Sequence, residues 1–467
     1  MTAQLTDHEA RALDARLDKV PVTSRHILWI VILGAAYFIE IFDNVSFSLL
    51  APAVRAEFEL DIPQIGLIIS SVFVGALFGA ILGGRLSDKI GRKPILIAAC
   101  LVFSVGSLVS AIAPTWELLA LSRIVTGFGM QAAVGVLMVV VSEMFPRLAR
   151  GRFFAVLTMI GFMSSPVTAV IALNIVPLAP GAWRWVFVIG ASGVIVAALI
   201  AWFLPETVRW QVSHGRLDAA SRTVEALENL AERKGTKLPV PEEVPEQDSN
   251  PVRPRLRDLF RGEALRRLVV TSGTFFAYLF CLYGFYSWVP TILVDRGMSQ
   301  PAALQFVTIM SIAQIIGPLI LYPLADRIER KSVILVGTIV TAAALCVFAL
   351  TGDPVVTLIA ASVAHLASTG MTTPFYTYIP EVFPTALRGI GVGMVNGVGR
   401  VAGVLSGVVV AAVYTAWGFQ VLYLMLAALF VLTGATLFIF GVRTTNRSLE
   451  AIAADALSSA ATTEQSH

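Results

Sequence analysis

The chain has 467 residues, of which 56% are hydrophobic and only 14% charged, with a mean hydropathy of +0.78. An ordinary soluble protein carries about 25% charged residues, so a water-soluble core cannot hide this much apolar surface and lipid has to cover the rest. The formal net charge of +3 follows from a bias in the short loops and does not suggest nucleic acid as a partner.

Residues 1–26 are polar and charged (Asp7, Glu9, Arg11, Arg16, Lys19, Arg25) and read as a cytoplasmic N-terminal segment, with no cleavable signal peptide beginning here. Crossing the hydrocarbon layer takes about 20 apolar residues of helix. Twelve stretches meet that requirement, at 27–50, 62–84, 95–113, 117–142, 152–176, 185–204, 268–292, 302–325, 332–351, 354–379, 389–413 and 417–442. The predicted fold class is therefore an all-α membrane protein with twelve transmembrane helices. Cations cluster after the second, fourth and eighth stretches (Arg85, Lys89, Arg92, Lys93; Arg147, Arg150, Arg152; Arg327, Arg330, Lys331). Cationic loops stay on the cytoplasmic side, which puts both termini inside. The polar interval 205–267 separates an N-terminal six-helix bundle (27–204) from a C-terminal one (268–442). Within it Leu217, Ala220, Val224, Leu227 and Ala231 recur at helical spacing, predicting a surface helix over 215–234. The proline-rich run 239–254 reads as an irregular linker and 443–467 as a flexible cytoplasmic tail. Cys100, Cys281 and Cys346 sit inside apolar stretches and show no metal or disulfide spacing.

The two groups of six are copies. EMFPRLARG (143–151) recurs as EVFPTALRG (381–389) at an offset of 238, which also pairs Pro52 with Pro290, Asp88 with Asp326 and Arg92 with Arg330. Two such halves are expected to enclose a midplane site and to rock about it. What the offset pairs, namely Asp88, Arg92, Glu143 and Arg150 with Asp326, Arg330, Glu381 and Arg388, reads as shared cytoplasmic gate machinery. In that reading Glu143, Arg92 and Arg150 form an ionic latch in one half, and Glu381, Arg330 and Arg388 in the other. Each exposed pair is worth only on the order of 1 kcal/mol.

The GxxxDKxGRK loop (84–93), the repeated ExxPxxxRG segment and PETVRW (205–210) together resemble the major facilitator superfamily. They are similar to its sugar-porter branch and that branch's relatives carrying organic acids, vitamins and organic cations. The resemblance covers residues 25–445 and implies two pseudo-symmetric six-helix bundles working by alternating access. The motifs specify the gate and leave the substrate open.

What the offset leaves unpaired reads as specific to this chain. Asp43, Arg123 and Glu40 fall opposite Cys281, Ala361 and Tyr278. A charge at membrane depth costs several kcal/mol unless paired or hydrated. Counting about 1.5 Å per residue from the outer helix ends puts Asp43 and Arg123 at one depth, roughly 10 Å in. They are expected to meet as a proton-coupling pair, because a desolvated carboxylate that loses its cation takes up a proton. Relatives in the sugar-porter branch resemble this Asp and Arg arrangement. Glu40, one turn from Asp43, is a second candidate for proton coupling.

Arg400, whose counterpart is Phe162, lies near the midplane one turn from Asn396. A guanidinium there suits a substrate carboxylate, held by two parallel hydrogen bonds. Gln131, Tyr283, Tyr286, Gln314 and Tyr376 are further substrate-binding candidates, with Phe42, Trp288 and Tyr378 as possible cavity wall and His365 as a titratable neighbour. Helix 7 reads TFFAYLFCLYGFYSWVP (274–290), aromatic and without the Gln residues that sugar porters use there. The expectation is thus proton-coupled symport of a small organic anion. A proton-coupled sugar or polyol symporter, or a drug or metabolite:proton antiporter, stands as the alternative. No GxxxxGK[ST] loop and no metal-ligand cluster appears, so an enzyme, an ATP-driven pump and a cofactor are not expected. The expected partners are a small-molecule substrate, protons and lipid, with the monomer as the working unit.

Overall fold

The structure is a computed structural model that describes residues 12–13, 15–233, 259–321, 328–384 and 387–444. Among these residues every regular element is helical. The linker expected at 239–254, nearly all of the tail, and Asp326 of the expected gate lie outside the described residues.

The first five apolar stretches become α1 (Ser24–Phe58), α2 (Ile62–Ile90), α3 (Arg92–Ile112), α4 (Trp116–Met144) and α5 (Arg150–Ile175). Several run a turn or more beyond the apolar window, because helical pairing continues where hydropathy has already fallen. The sixth stretch is two helices, α6 (Arg184–Gly190) and α7 (Gly193–Phe203). Next come α8 (Val208–Ser213) and α9 (Leu217–Glu232), the latter being the expected surface helix. The seventh stretch also divides, into α10 (Gly262–Tyr286) and α11 (Val289–Asp295), with a proline in the first turn of α11. Then follow α12 (Gln300–Leu321), α13 (Arg330–Leu350), α14 (Pro354–Gly370), α15 (Thr372–Val382) and α16 (Arg388–Phe440). Asp353 caps α14 by accepting from the amides of Val355 (2.8 Å) and Val356 (3.0 Å), as an N-cap carboxylate before an N1 proline should.

The 53-residue α16 is too long for one crossing. At about 1.5 Å per residue it would be roughly 80 Å long, against a hydrocarbon core of about 30 Å. Gly418 solves this with φ 78°, a left-handed conformation that breaks the element into the two predicted spans.

The chain forms two compact units. The first gathers the described residues of Met1–Asn44, Gly75–Ser164 and Arg184–Ser249, and the second those of Val45–Val74, Ser165–Trp183 and Asn250–His467. Helices α1, α2 and α5 therefore contribute one part to each. In the first unit α3 packs on α4, α6 and α7. Its core joins Phe103, Leu137 and Val140 to Leu13 and Leu17 of the N-terminal segment and to Ala220, Val224 and Leu227 of α9. In the second unit α10 and α13 pack on α16, and α14 lies against α12 and α13.

Backbone contact sets the packing of α2 on α4. Gly75, Gly79 and Gly83 stand one turn apart, opposite Ile124, Phe128 and Ala132. A Cβ at Gly75 or Gly79 would strike the backbone carbonyl of Ile124 or Phe128, and one at Gly83 would lie 2.7 Å from Ala132 Cβ. Where hydrophobic burial does not drive helix association, such small-residue stripes permit close dispersion contact instead. Gly84, one residue on, faces open space. Gly79→Val should lower the melting temperature of the detergent-purified protein by several degrees or prevent folding, while Gly84→Ala leaves it unchanged. Equal melting curves for the two variants would remove this account of the packing.

Candidate functional site

Asp43 on α1 and Arg123 on α4 meet inside the first unit, with side chains 0% and 1% exposed. Arg123 Nη1 donates to Asp43 Oδ2 at 2.7 Å, and Nη2 to the Asp43 carbonyl oxygen at 3.1 Å. The guanidinium also lies over the Phe187 ring, 5.2 Å from its centroid. Asp43 Oδ1 is held by a residue that sequence reasoning missed. Ser107 Oγ on α3 stands 2.5 Å from Oδ1 and 3.0 Å from the Phe187 carbonyl oxygen, so its single proton serves one acceptor at a time. Gly190 leaves the necessary room, since a Cβ there would sit 2.7 Å from Oδ1 and 2.9 Å from Ser107 Oγ. Nothing in a lone serine of an apolar helix marks it beforehand. The 238-residue offset is the one usable signal, because Asp43, Ser107 and Arg123 fall opposite Cys281, Leu345 and Ala361, all fully buried and uncharged. Glu40 is buried on the same helix one turn before Asp43.

The expected gate residues of the first unit are partly rearranged. Arg92 grips Glu143 with two nitrogens, Nε at 3.2 Å and Nη2 at 3.1 Å, and Nη2 also reaches the exposed Asp88 at 3.0 Å. Two groups outside the expected set complete this cluster, both from the PETVRW segment. Thr207 Oγ1 donates to Glu143 at 2.6 Å. Glu206 accepts from the Arg92 amide at 2.9 Å and the Lys93 amide at 3.2 Å, placing a carboxylate on the N-terminus of α3. Gly91, at φ 121°, is the residue that lets Glu206 in, since any side chain there would collide with its carboxylate. Arg150 does not join Glu143 as expected: it pairs with Asp18 at 2.9 Å. The N-terminal segment folds back onto the unit and supplies a nearer carboxylate. In the second unit Arg330 pairs with Glu381 at 2.8 Å, and Arg388 begins α16, half-buried.

Most substrate-binding candidates fall in the second unit. Tyr283 and Tyr286 lie on α10, Gln314 on α12, Tyr376 on α15, and Asn396 and Arg400 on α16, all exposed or half-buried. Gln131 is half-buried on α4 of the first unit. Tyr286 stacks on His365 with centroids 4.7 Å apart and its hydroxyl 2.9 Å from Ser165 Oγ. His365 is buried, and neither ring nitrogen has a hydrogen-bond partner among the described residues. Asn396 donates to the Val392 carbonyl one turn back. Phe42, Trp288 and Tyr378, expected as cavity wall, are fully buried packing residues instead.

A further cluster in the second unit was not anticipated. Arg55 Nη1 contacts Asp295 Oδ1 at 2.5 Å, and Tyr414 donates to Asp295 Oδ2 at 2.6 Å. Burial pushes the Asp295 carboxyl up, but the hydrogen bonds from Tyr414 and Arg55 and the charge of Arg55 outweigh it and leave it below the usual carboxylate range. A lowered carboxyl stabilises the fold at neutral pH and loses that contribution as pH falls through its lowered value. The melting-temperature gap between wild type and Asp295→Asn should therefore be largest near neutrality and close as pH falls through and below the ordinary carboxylate range. A gap that widens in acid would contradict the geometry. For the buried pair, Ser107→Ala strands one Asp43 oxygen and should cost about 1–3 kcal/mol in unfolding titrations. Ser104→Ala, which removes only a bond to the Cys100 carbonyl within α3, should cost less. Equal costs would deny Ser107 its role in holding Asp43.

The chain matches known proteins over nearly its whole length. The niacin transporter NiaP of Acinetobacter baylyi is 28% identical over 451 residues, covering 94% of this chain and 99% of that one. The inner membrane metabolite transport protein YdjE of Escherichia coli is also 28% identical, over 461 residues, covering 94% and 98%. Among solved structures, the xylose transporter XylE of E. coli in a partially occluded inward-open conformation superimposes with a TM-score of 0.73 at 15% identity, covering 91% of this chain and 100% of that one. A structure of a D-xylose-proton symporter gives 0.72 at 16%, with 91% and 100% covered. Likeness at that identity carries the fold alone, the helical major facilitator architecture. The profile of the family described as "Sugar (and other) transporter" spans residues 33–456, and the chain, a multi-pass integral membrane protein, belongs to that transporter family within the major facilitator superfamily.

Proposed function

We propose that the chain is a proton-coupled symporter of a small aromatic carboxylate, with Asp43 as the proton carrier. The observation that carries this reading is the buried Asp43–Ser107–Arg123 constellation. With Asp43 ionised, Ser107 donates to it and Arg123 neutralises it. Once Asp43 is protonated, its new O–H donates to Ser107, whose own proton turns to the waiting Phe187 carbonyl, 3.0 Å away. Every hydroxyl proton then has an acceptor in both states. The cost of protonation falls on Arg123, which loses its counter-charge inside the unit. A buried ion pair stripped of one partner is destabilised by about 3–5 kcal/mol, enough to bias a two-state rearrangement. Proton binding thus becomes a conformational signal.

The substrate assignment rests on Arg400 and the aromatic residues of α10 and α15, and gains weight from relatives named as niacin transporters, niacin being an aromatic carboxylate. In this reading Arg400 holds the carboxylate, while Asn396, Gln131, Gln314, Tyr283, Tyr286 and Tyr376 supply polar and stacking contacts. Glu40 is a second protonatable group beside Asp43. Arg92–Glu143 and Arg330–Glu381, with Asp88, Arg150 and Arg388, brace the cytoplasmic helix ends in the two halves. Both termini face the cytoplasm, following the loop cations, and the protein works as a monomer in the cytoplasmic membrane.

In proteoliposomes with nicotinate as the probe, Asp43→Asn should abolish uphill, proton-driven accumulation while retaining counterflow exchange. Normal uphill uptake by that variant would sink the assignment. Arg400→Ala should eliminate the nicotinate-induced rise in melting temperature, and Arg400→Lys should restore it only in part, because an ammonium cannot make the paired fork. An undiminished shift in Arg400→Ala would move the carboxylate site elsewhere.

A further inference from the structure

The first unit carries a cavity of about 330 Å³ that none of the transport machinery uses, lined by Arg25 and Leu28 at the start of α1, Trp29 behind them, Lys93 on α3, and Trp202 and Phe203 at the end of α7. Its floor is fixed by two bonds to the end of α7: Trp29 Nε1 donates to the Phe203 carbonyl at 3.1 Å, and Lys93 Nζ to the Ala201 carbonyl at 2.8 Å. These bonds satisfy helix-end carbonyls and leave two of the three Lys93 ammonium protons for another acceptor. Arg25 is exposed and makes no ion pair with a described residue. Among the described residues no carboxylate lines the cavity. The rim is apolar, with Trp202 77% and Phe203 49% exposed.

The location is as specific as the composition. Arg25 stands two residues before the apolar run of α1, and Phe203 is the last residue of α7 before the polar PETVRW segment. Both therefore sit at a membrane–water boundary, where tryptophan concentrates and where basic pockets between helices take anionic headgroups. We propose that this cavity binds the phosphodiester headgroup of an anionic phospholipid. Arg25 and Lys93 hold the phosphate from two helices, and the acyl chains run down the face beside Trp202. A lipid held in this way ties the ends of α1, α3 and α7 together.

The test is native mass spectrometry of purified protein exposed to equal phosphatidylglycerol and phosphatidylethanolamine. Each cation at such a surface contributes about fivefold in affinity, so Arg25→Gln/Lys93→Gln should lower phosphatidylglycerol retention roughly thirtyfold. Phosphatidylethanolamine retention should be unchanged, and Arg25→Lys should keep the phosphatidylglycerol. The control Arg85→Gln/Lys89→Gln removes the same charge from the exposed end of α2 and should retain the lipid. Equal loss in the control pair would reduce the effect to bulk charge and overturn the site. Unchanged retention in the Arg25/Lys93 variant would do the same. Displacement of the lipid by inorganic phosphate alone would show a soluble-anion site and reject the lipid.

Discussion

A carboxylate and a guanidinium withdrawn together from water impose the strongest constraint on this molecule. Asp43 and Arg123 are both essentially inaccessible, and neither could be buried alone. Their presence dictates several neighbours. Ser107 must supply a donor on one side, Phe187 a ring and a carbonyl oxygen on the other, and Gly190 an absence of side chain. The corresponding positions in the second half, Cys281, Leu345 and Ala361, are filled by uncharged groups. One duplicated scaffold thus carries the ion pair in one copy and ordinary packing in the other, as expected when the two copies have taken different jobs.

Close backbone approach supports that pair. Arg123 belongs to α4, and the same helix is pinned against α2 by the Gly75, Gly79 and Gly83 stripe and against α3 by Gly106 and Gly129. A Cβ at Gly106 would lie 2.5 Å from Thr126 Oγ1, and one at Gly129 would lie 2.7 Å from the Ala99 carbonyl oxygen. These contacts hold α3 and α4 at a spacing that lets Ser107 and Arg123 reach the same carboxylate. At the helix ends, the Arg92–Glu143 pair depends in turn on Glu206 and Gly91, which set the start of α3.

Much of this was legible in the sequence, for identifiable reasons. Apolar runs long enough to cross a membrane have few alternatives to helix, so the spans emerge from run length and the amphipathic α9 from periodicity. The Asp43–Arg123 contact follows from cost: two lone charges at matching depth in apolar helices have to find each other. Other features leave no such trace. Ser107 looks like any small helix residue, and its hydrogen bond depends on where α3 sits relative to α1. The duplicated spacing groups Arg150 with Glu143, yet Arg150 turns to Asp18 because the N-terminal segment packs Leu13 and Leu17 into the unit. That fold-back is a tertiary event with no periodic signal long enough to read. Phe42, Trp288 and Tyr378 have a chemistry that suits a cavity wall as well as packing, and they are fully buried.

The account stands on the idea that the buried pair makes substrate movement and proton movement one event. The most direct measurement is of proton flux itself. Proteoliposomes holding the wild-type protein, with no imposed pH gradient, are given nicotinate outside, and the external pH is followed with a dye while labelled substrate uptake is counted. The account predicts alkalinisation of the medium that starts with substrate uptake, scales with it and is lost when a protonophore lets protons equilibrate. Nicotinate uptake with no accompanying pH change would contradict it.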